Sequence, residues 1–381
     1  MDKKIEELLT RGVDKIYPSK EELQTILTSG KKLKLYQGFD PTGDKLHLGH
    51  LAGLLKLRDW QELGHKIIFL KGTGTGQAGD PSGKTKSRDT FFSTGDLKSN
   101  ADKYQKQVSK FFKKGKIYFE ENGKWLNKLT LPKILEIVSH FSLQQLTERD
   151  LFQERIKNGE SINMREALYP FLQAYDSVEM EVDLELGGSD QTFNMLFGRT
   201  LLKAMKNKDK FVMTTPLITD SSGRKIGKTE GNVIAVFDSA QNLYAQIMSL
   251  PDEIIVTGLE CLTRVPMERV HEVKSAIERG ENPMIYKKEL ALEIVAVTHN
   301  REEAEEAGEV WGNTFSKKGI PENILKVRAE QDEKLVDIFL KHNIVSSKTE
   351  FNRLEKAGAI EEIENGVYRV GKHRFIKIER E

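Results

Sequence analysis

The sequence predicts an α/β fold: a parallel sheet with helices on both faces, followed by a helical region and a small α+β region. In the first half, strand-like and helix-like segments alternate, which is the pattern of parallel βαβ units. From about residue 235 to 320 apolar residues recur at helical spacing, and the chain ends in two short helical patterns and a strand-like segment. Because 381 residues exceed what one hydrophobic core supports, we expect domains at 1–220, 221–322 and 323–381.

The first strand–helix–strand unit places two polar segments at strand ends. KLKLYQGFD reads as a strand that runs into a turn beginning at Asp40, and the helical pattern that follows ends at Gly64. HKIIFLKG reads as a second buried strand and opens into a glycine-rich stretch, residues 72–83. Ligands bind at the carboxyl ends of parallel strands, so residues 40–50 and 72–80 are the candidate site segments.

Most of the other segments contain no clear candidate for a catalytic or ligand-binding motif. Residues 1–17 have the pattern of an amphipathic helix, and residues 90–165 that of polar helices, which could form an insertion beside the sheet or a subunit contact. FVMTT reads as a strand that leads into a polar, glycine-containing loop, and residues 319–321 read as a linker.

Composition excludes several classes of protein. Hydrophobic residues make up 38% and charged residues 31%, as in globular rather than disordered chains. No stretch approaches the roughly 20 apolar residues that cross a bilayer. The single cysteine, Cys261, rules out an internal disulfide and a thiolate zinc cluster. Together with the absence of a bilayer-spanning stretch, this predicts a cytoplasmic protein with no membrane partner. With a net charge of +1, nucleic-acid binding needs local basic segments, and 103–116, 203–210 and 369–380 are candidates or ordinary solvated faces.

Two familiar phosphate-binding patterns nearly match the glycine-rich stretch. GTGQAG, from Gly74 to Gly79, fits the dinucleotide pattern GxGxxG, but turn residues follow it where a helix should begin. The stretch then runs into GKT, like the end of a P-loop. Ala78 stands where a P-loop has glycine, and Pro81 interrupts the run of backbone N–H groups. Both interpretations are therefore disfavoured.

The segment HLGH at the start of the predicted helix is a candidate nucleotide-binding motif. His47 and His50 are three residues apart and lie on one helix face, and Gly49 between them lets a flat ring approach the backbone. The helix N-terminus adds partial positive charge that suits phosphate oxygens. A His-x-x-His metal pair is the alternative, although no third ligand accompanies it at sensible spacing.

A second candidate motif is KIGKT, in the polar loop after FVMTT. Lys225 and Lys228, set among serine, glycine and threonine, make a cationic loop that can close on a polyphosphate and neutralise charge in a transition state. Taken alone, each of the two motifs is compatible with an ordinary surface segment.

Together the two motifs resemble the HIGH and KMSKS motifs of class I aminoacyl-tRNA synthetases. The similarity narrows to the bacterial-type tyrosyl-tRNA synthetases through YQGFDPTGDKLHLGH, GDPSGK, YPFLQAYD and LGGSDQ, which follow in family order over nearly the whole chain. The resemblance implies a Rossmann-like catalytic domain, a helical anticodon-arm domain and a small S4-like RNA-binding domain. It also implies that L-tyrosine is activated with ATP, accompanied by Mg²⁺, and transferred to tRNA(Tyr), by a homodimer joined through residues 120–160.

The resemblance assigns residues to an amino-acid pocket. Tyr36 and Asp176 would bind the tyrosine hydroxyl, and Asp80, Tyr169 and Gln173 its ammonium group. The residue types agree, because Tyr169, Gln173 and Asp176 stand at i, i+4 and i+7 on one helix face. An ammonium group needs a carboxylate and a carbonyl oxygen, which Asp80 and Gln173 supply.

Other residues are assigned to ATP and to the reaction by the same resemblance. Gln191 would reach the activated carboxyl group or the phosphate. The residues implied to be catalytic at the phosphates are Thr42, His47, His50, Lys84, Arg88, Lys225, Lys228 and Thr229. The residues implied to bind ATP are Gly38, Asp40, His47, Gly49, His50, Gly188, Asp190 and Lys228. None is a covalent nucleophile, because the tyrosine carboxylate itself attacks the α-phosphorus and the protein supplies positioning and charge stabilisation.

The C-terminal residues resemble an S4-type RNA-binding domain. Lys348, Arg353, Lys372 and Arg374 would contact phosphates and position tRNA without reading its sequence, although an ordinary charged surface has the same composition. The alternatives left open are the tryptophan enzyme of the same subclass, which needs no hydroxyl-binding pair, a non-catalytic RNA-binding paralogue and a small nucleotidyltransferase.

Overall fold

The computed structural model contains two compact units, Met1–Ala304 and Glu305–Glu381. The residues it describes are 3–82, 91–112, 117–219, 233–316, 325–329, 333–342, 344–345, 347–356, 358–364, 366–370 and 374–380. No helix in this part of the chain is long and apolar enough to cross a membrane.

The described part of the first unit contains a mixed, mainly parallel sheet. Its strands β1 to β6, in chain order, are Lys15–Tyr17, Lys34–Phe39, Lys66–Lys71, Ile117–Glu121, Leu184–Gly188 and Phe211–Thr215. Across the sheet the order is β1-β6-β5-β2-β3-β4, and every pair is parallel except β1 with β6. The chain builds from β2 outward to β4 and then returns to the other side of β2 with β5, so strand order reverses between β2 and β5. Ligands of open α/β sheets bind at the carboxyl ends of strands beside such a reversal.

Helices connect these strands and continue after them. The helices α1 to α16, in chain order, are Lys3–Thr10, Lys20–Thr28, Leu48–Glu62, Thr75–Ala78, Thr94–Phe111, Gly123–Leu126, Leu131–Ser139, Leu143–Thr147, Asp150–Lys157, Met164–Met180, Thr192–Lys206, Ala240–Met248, Ile254–Leu262, Met267–Glu278, Pro283–Thr298 and Arg301–Ser316. A short 3₁₀ turn, Ser189–Gln191, precedes α11. Side-chain oxygens of Ser93, Ser142 and Asn163 cap their helices by accepting from backbone N–H groups that have no partner within the helix.

Most predicted elements of the first half are confirmed. β2, β3 and β6 occupy the predicted strand sequences, and α3 begins at HLGH and ends just before Gly64. Two predictions are wrong. Residues 117–121, expected within polar helices, form β4, because aromatic and β-branched residues favour a strand beside β3. The N-terminal helix stops at Thr10, because Gly12 adopts a left-handed conformation with φ of 57°, and residues 15–17 form the edge strand β1.

Helix α10 carries the three polar residues that were predicted to share a pocket, and it packs along α11. Between them lies a core that includes Phe152, Phe171, Ala174 and Leu201. Phe141 adds a ring that stacks at 4.3 Å, centroid to centroid, on a phenylalanine of α11. Because its apolar face packs against α11, helix α10 presents Tyr169, Gln173 and Asp176 toward the sheet.

The second unit is a small α+β assembly. Its elements, β7, α17, α18, β8, β9 and β10, are Leu325–Ala329, Leu335–Lys341, Lys348–Lys356, Ile360–Glu364, Val367–Val370 and Arg374–Arg380. The sheet order is β7-β10-β9-β8, with β7 parallel to β10 and the other pairs antiparallel. Ile338, Phe339, Phe351 and Ile376 are buried between helices and sheet. This arrangement fits the predicted S4-like domain, while the exact boundaries at 220 and 322 stay predictions.

Candidate active site

The predicted site segments converge on the carboxyl ends of the parallel strands. Tyr36 and Gly38 belong to β2, and Asp40 follows that strand. The glycine-rich segment follows β3, Asn122 follows β4, and the 3₁₀ turn Ser189–Gln191 follows β5. The sheet topology therefore brings together residues that are more than 150 positions apart in sequence.

One end of this site is formed by Tyr36 and Asp176, whose side chains are both buried. The carboxylate of Asp176 accepts hydrogen bonds from Asn122 Nδ2 at 3.0 Å and from Trp125 Nε1 at 2.8 Å. Burial raises the pKa of Asp176 well above its usual value, although these two bonds oppose the rise. Burial and then the charges of Glu185 and Asp176 raise the pKa of Tyr36. A hydroxyl and a carboxyl group thus lie close together, out of contact with water.

Behind Tyr36 lies a buried ion pair that was not predicted. Lys210 Nζ pairs with Glu185 Oε2 and donates a hydrogen bond to Ser177 Oγ at 2.8 Å. Ser177 Oγ lies 3.1 Å from Tyr36 Oη. Gln173 Nε2 donates to the other carboxylate oxygen, Glu185 Oε1, at 2.9 Å. The pair therefore touches two of the residues that were predicted to bind the amino acid.

Asp40 links β2 to α10 and to the glycine-rich segment. Tyr169 Oη donates to Asp40 Oδ2 at 3.0 Å, and Thr75 Oγ1 donates to Asp40 Oδ1 at 2.6 Å. A Cβ on Gly72 would lie 2.0 Å from Asp40 Oδ1, so only glycine fits there. Burial, followed by the charges of Asp40 and Asp80, raises the pKa of Tyr169. A residue assigned to ATP thus contacts one assigned to the ammonium group.

Asp80 is held from two directions. Gln191 Nε2 donates to Asp80 Oδ2 at 2.7 Å, and Asn194 Nδ2 donates to Gln191 Oε1 at 2.9 Å. On the other side, Arg149 Nη2 lies 3.9 Å from Asp80 Oδ1. Arg149 is buried, and sequence reasoning did not single it out. The predicted contacts to the ammonium group and to the activated carboxyl group therefore form one connected cluster.

The HLGH motif stands at the beginning of α3. The His47 backbone N–H donates to His50 Nδ1 at 3.1 Å, and the two rings stack with centroids 3.7 Å apart. Gly49 between them is exposed. His47 also forms an antiparallel backbone bridge with Ala235, which follows the predicted KIGKT loop in sequence. The segment that follows the predicted KIGKT loop in sequence is thereby paired with the start of α3.

The other described ATP candidates lie along the same sheet edge. Gly38 is exposed although β2 is a central strand, and Thr42 is half-buried in the turn after β2. A Cβ on Gly188 would lie 2.7 Å from Asp190 Oδ1, so glycine there leaves room for the Asp190 carboxylate. Within the described ranges, no group of three or more His, Cys, Asp or Glu side chains could hold a metal ion.

Several predicted residues lie outside the described residues: Lys84, Arg88, Lys225, Lys228, Thr229 and Lys372. Their roles stay predictions. In the second unit, Lys348 and Arg353 are exposed on α18, and Lys348 Nζ lies 3.6 Å from Asp337 Oδ1. Arg374 is described only as the first residue of β10.

Sequence reasoning missed Asn122, Trp125, Ser177, Glu185 and Lys210. Glu185 alone carried a visible signal, since a charge inside the apolar strand sequence LELGG needs a partner. Asn122 and Trp125 follow β4, a strand that was itself not predicted. Lys210 belongs to the basic segment 203–210, and the interpretation of that segment as a solvated face is wrong for Lys210, which is fully buried.

Comparison with known proteins agrees with this geometry. The family model described as tRNA synthetases class I (W and Y) matches residues 28–316. A curated relative named tyrosine–tRNA ligase, from Francisella tularensis subsp. tularensis, is 36% identical over 98% of this chain and 97% of its own length. Another of the same name, from Thermotoga maritima, is 36% identical over 97% of this chain and 96% of its own length.

Solved structures agree as well. A C-terminally truncated mitochondrial tyrosyl-tRNA synthetase of Coccidioides posadasii has a TM-score of 0.63 and 25% identity, covering 81% of this chain and 92% of that one. The tyrosyl-tRNA synthetase of Archaeoglobus fulgidus complexed with L-tyrosine has the same fold, with a TM-score of 0.63 and 20% identity over 80% of this chain and 98% of that one. The chain described here belongs to the class I tRNA synthetases of the W and Y group.

Proposed function

We propose that this protein is a tyrosine–tRNA ligase. It activates L-tyrosine with ATP to tyrosyl-adenylate and pyrophosphate, and then transfers the tyrosyl group to the 3′ end of tRNA(Tyr). The observation that carries the choice of amino acid is the buried pair of Tyr36 and Asp176, with Asp176 anchored by Asn122 and Trp125. Class I synthetases use ATP, and relatives 36% identical to this chain are named for tyrosine.

The hydroxyl end of the pocket supplies specificity. Asp176 retains acceptor capacity beyond its two bonds, since a carboxylate offers about four lone-pair positions. A substrate hydroxyl gives up its hydrogen bonds to water when it enters the pocket and regains a hydrogen bond to Asp176. Phenylalanine has no hydroxyl, so it leaves the buried polar groups unpaired. Rejection of phenylalanine by tyrosine enzymes is itself the standard example of this effect. A tryptophan ring brings no hydroxyl to this end, which disfavours the other branch of the family.

At the opposite end, Asp80, Tyr169 and Gln173 are proposed to hold the ammonium group. Tyr169 is oriented by its bond to Asp40, and Asp80 by its bond to Gln191. A negative carboxylate beside neutral oxygen acceptors binds an ammonium ion through charge-assisted hydrogen bonds.

The nucleotide is proposed to lie over Gly38, Gly49 and Gly188, where no side chain covers the backbone. A tyrosine carboxylate oxygen attacks the α-phosphorus, the bond from the α-phosphorus to the bridging oxygen breaks, and pyrophosphate leaves with that electron pair. Proposed contacts to the nucleotide, the adenylate and the departing charge are Asp40, Thr42, His47, His50, Asp190, Gln191, Lys84, Arg88, Lys225, Lys228 and Thr229. Mg²⁺ is expected to arrive with ATP, held mainly by phosphate oxygens and water.

Transfer to tRNA is proposed to involve the two C-terminal parts of the chain. The helices within 221–322 would meet the anticodon arm, and the S4-like region 323–381 would contact the RNA backbone. Lys348 and Arg353 are exposed, as phosphate contacts require. Lys372 and Arg374 complete the proposed set.

We further propose a cytoplasmic homodimer. The sequence had suggested only polar helices in residues 120–160, yet large apolar side chains are exposed there and just beyond. Leu131 and Leu135 of α7, Leu143 of α8 and Met164 of α10 keep more than half of their surface accessible in the monomer, from 56% to 72%. Exposed apolar surface of this kind marks an interface. Leu131→Lys combined with Leu143→Lys should shift the sedimentation profile from dimer to monomer, and an unchanged dimer would reject this surface.

The function is tested by ATP–pyrophosphate exchange with tyrosine, tryptophan and phenylalanine offered separately, with Mg²⁺ and without tRNA. We expect exchange with tyrosine alone, and its loss in Asp176→Ala and in Lys228→Ala. Exchange with tryptophan would keep the family and overturn the roles of Tyr36 and Asp176. A folded protein that exchanges with none of the three would point to a non-catalytic RNA-binding paralogue.

A further inference from the structure

The buried ion pair behind the amino-acid pocket has no role in the function proposed above. The Lys210 side chain is fully buried, and only 2% of the Glu185 side chain is exposed. Removing two charges from water is costly, and their mutual attraction offsets this only if the remaining polar atoms are also bonded. Burial lowers the pKa of Lys210, and the charge of Glu185 opposes that change. A feature this costly needs an explanation beyond general packing.

Glu185 determines how the side chain of Gln173 is oriented. Its Oε1 accepts from Gln173 Nε2 at 2.9 Å. A carboxylate has only acceptors, so Gln173 must turn its nitrogen toward Glu185 and its carbonyl oxygen away. That oxygen, Gln173 Oε1, is buried and has no hydrogen-bond partner among the residues that the structure describes. Buried polar atoms are almost always paired, so an unpaired acceptor here calls for a donor from a ligand.

Lys210 holds the carboxylate in place from behind. Besides its bond to Glu185, its ammonium group donates to Ser177 Oγ, the atom that lies 3.1 Å from Tyr36 Oη. A Cβ on Gly198 would lie 2.6 Å from Lys210 Nζ, so the absence of a side chain there leaves space for the lysine head group. The pair is thus built into the wall between α10, α11 and β5.

We propose that Glu185 and Lys210 are positioning residues for amino-acid binding: Glu185 holds the Gln173 amide with its carbonyl oxygen toward the ammonium group of the substrate, and Lys210 holds Glu185. The inference rests on the proposed function and deepens it, because it explains why an amide, which can present either end, acts as an acceptor. If Glu185 is replaced by an apolar residue, that orientation leaves Gln173 Nε2 buried without an acceptor.

The test compares two ligands in three double variants. The ligands are L-tyrosinol, which carries the ammonium group, and 3-(4-hydroxyphenyl)propan-1-ol, which lacks it, and both are measured as competitive inhibitors of tyrosine-dependent exchange. In Glu185→Met with Lys210→Met, the inhibition constant of tyrosinol should rise about 10-fold, the size of a hydrogen bond to a charged group. That of the deamino analogue should rise several-fold less, because it makes no bond to Gln173. Both ligands share the hydroxyl end, where the pair supports Tyr36 through Ser177, so any loss there weakens the two equally.

Two variants separate positioning from packing. Glu185→Gln with Lys210→Met restores a carbonyl that can accept from Gln173 Nε2, so tyrosinol binding should return to within about 3-fold of the wild type. Arg155→Met with Glu166→Met removes another buried ion pair, 3.0 Å long, which joins α9 to α10, and should affect neither ligand. If the Met pair at 185 and 210 does not fold, Glu185→Asp keeps the charge but is one methylene too short to hold Gln173, and should give the same selective loss.

Each outcome decides one claim. Equal weakening of both ligands, or equal behaviour of the Met and Gln variants, would show that the pair serves packing only. Wild-type binding of tyrosinol by the Met variant would reject the positioning role and leave the proposed function intact. A wild-type protein that neither exchanges with tyrosine nor binds tyrosinol would reject the proposed function itself.

Discussion

The two sides of the candidate site are built by different means. On the side proposed to bind the amino acid, Tyr36, Gln173 and Asp176 are connected by side-chain hydrogen bonds to buried side chains. On the side proposed to bind the nucleotide, His47 and His50 are half-buried, the His47 backbone N–H bonds to His50, and the His47 backbone pairs with that of Ala235.

The difference matches what each side must distinguish. Tyrosine differs from phenylalanine by one hydroxyl group. To discriminate between them, the pocket needs buried polar groups that are left without a hydrogen-bond partner when the hydroxyl is missing. ATP is large and charged, so backbone N–H groups, exposed glycines and a helix N-terminus can help to orient it beside the proposed cationic side chains. The amino-acid side is therefore expected to be intolerant of substitution. On the nucleotide side, the residues at the start of α3 should lose rate in smaller steps, whereas loss of the proposed phosphate contact Lys228 should abolish exchange.

Among substitutions of described residues, Asp176→Ala should have the largest effect on exchange. It removes the proposed partner of the tyrosine hydroxyl and takes one acceptor each from Asn122 Nδ2 and Trp125 Nε1, at a cost of up to about 1–3 kcal/mol for each N–H left unpaired. Tyrosine-dependent exchange should fall at least about 100-fold. Glu179→Ala, an exposed carboxylate on the same helix, should keep wild-type exchange. Comparable losses in both variants would mean that α10 matters only as a helix.

His50→Ala tests the nucleotide side and should have a smaller effect. The variant loses the acceptor for the His47 backbone N–H and the ring stack at the start of α3, so kcat/KM for ATP should drop about 10-fold. The KM for tyrosine should change less than about 2-fold, because the amino-acid side has its own bonds. A parallel rise in the tyrosine KM would contradict the separation of the two sides.

Lys348→Ala combined with Arg353→Ala should act on neither side of the pocket. Both residues are exposed on α18, so tRNA affinity should weaken about 5-fold and become less dependent on salt, while exchange without tRNA stays unchanged. The readouts are the KM for tRNA at two salt concentrations and the exchange rate. An altered exchange rate would contradict the proposal that Lys348 and Arg353 act only in tRNA binding.

The last prediction concerns the stability of the fold at acid pH and leaves the catalytic comparison unchanged. His65 Nδ1 accepts from the Leu33 backbone N–H at 3.0 Å, and burial lowers the pKa of His65 from 6.5 to about 4. Its stabilising contribution is therefore complete above about pH 6.5 and is lost as pH falls through about 4.

His65→Asn keeps an acceptor oxygen but does not titrate. Urea unfolding at pH 7 and pH 4.5 should show that the wild type loses more stability than this variant, by no more than about 3 kcal/mol. His140→Asn, at an exposed position, should behave as the wild type. Identical pH dependence in all three proteins would remove His65 as a cause.

Local pattern explains which parts of the fold were predictable. β2, β3 and α3 have strong periodicity and clear stop signals, so their type and place followed directly. β4 was missed because five residues with two terminal glutamates carry little pattern of their own, and it is a strand only because β3 offers a partner. Asn122 and Trp125, which follow it, could not be found before the strand was known.

The sequence by itself determined the family, the order of its motifs and the residue types that a tyrosine pocket needs, because short motifs at strand ends and on one helix face are local properties. Only the tertiary structure decided which atoms those residues face. Lys210 looks like its exposed neighbours in the chain, yet parallel pairing of β5 with β6 brings it beside Glu185 in the interior. The orientation of the Gln173 amide follows from that contact. Such pairings depend on distances between remote segments, and no periodicity along the chain records them.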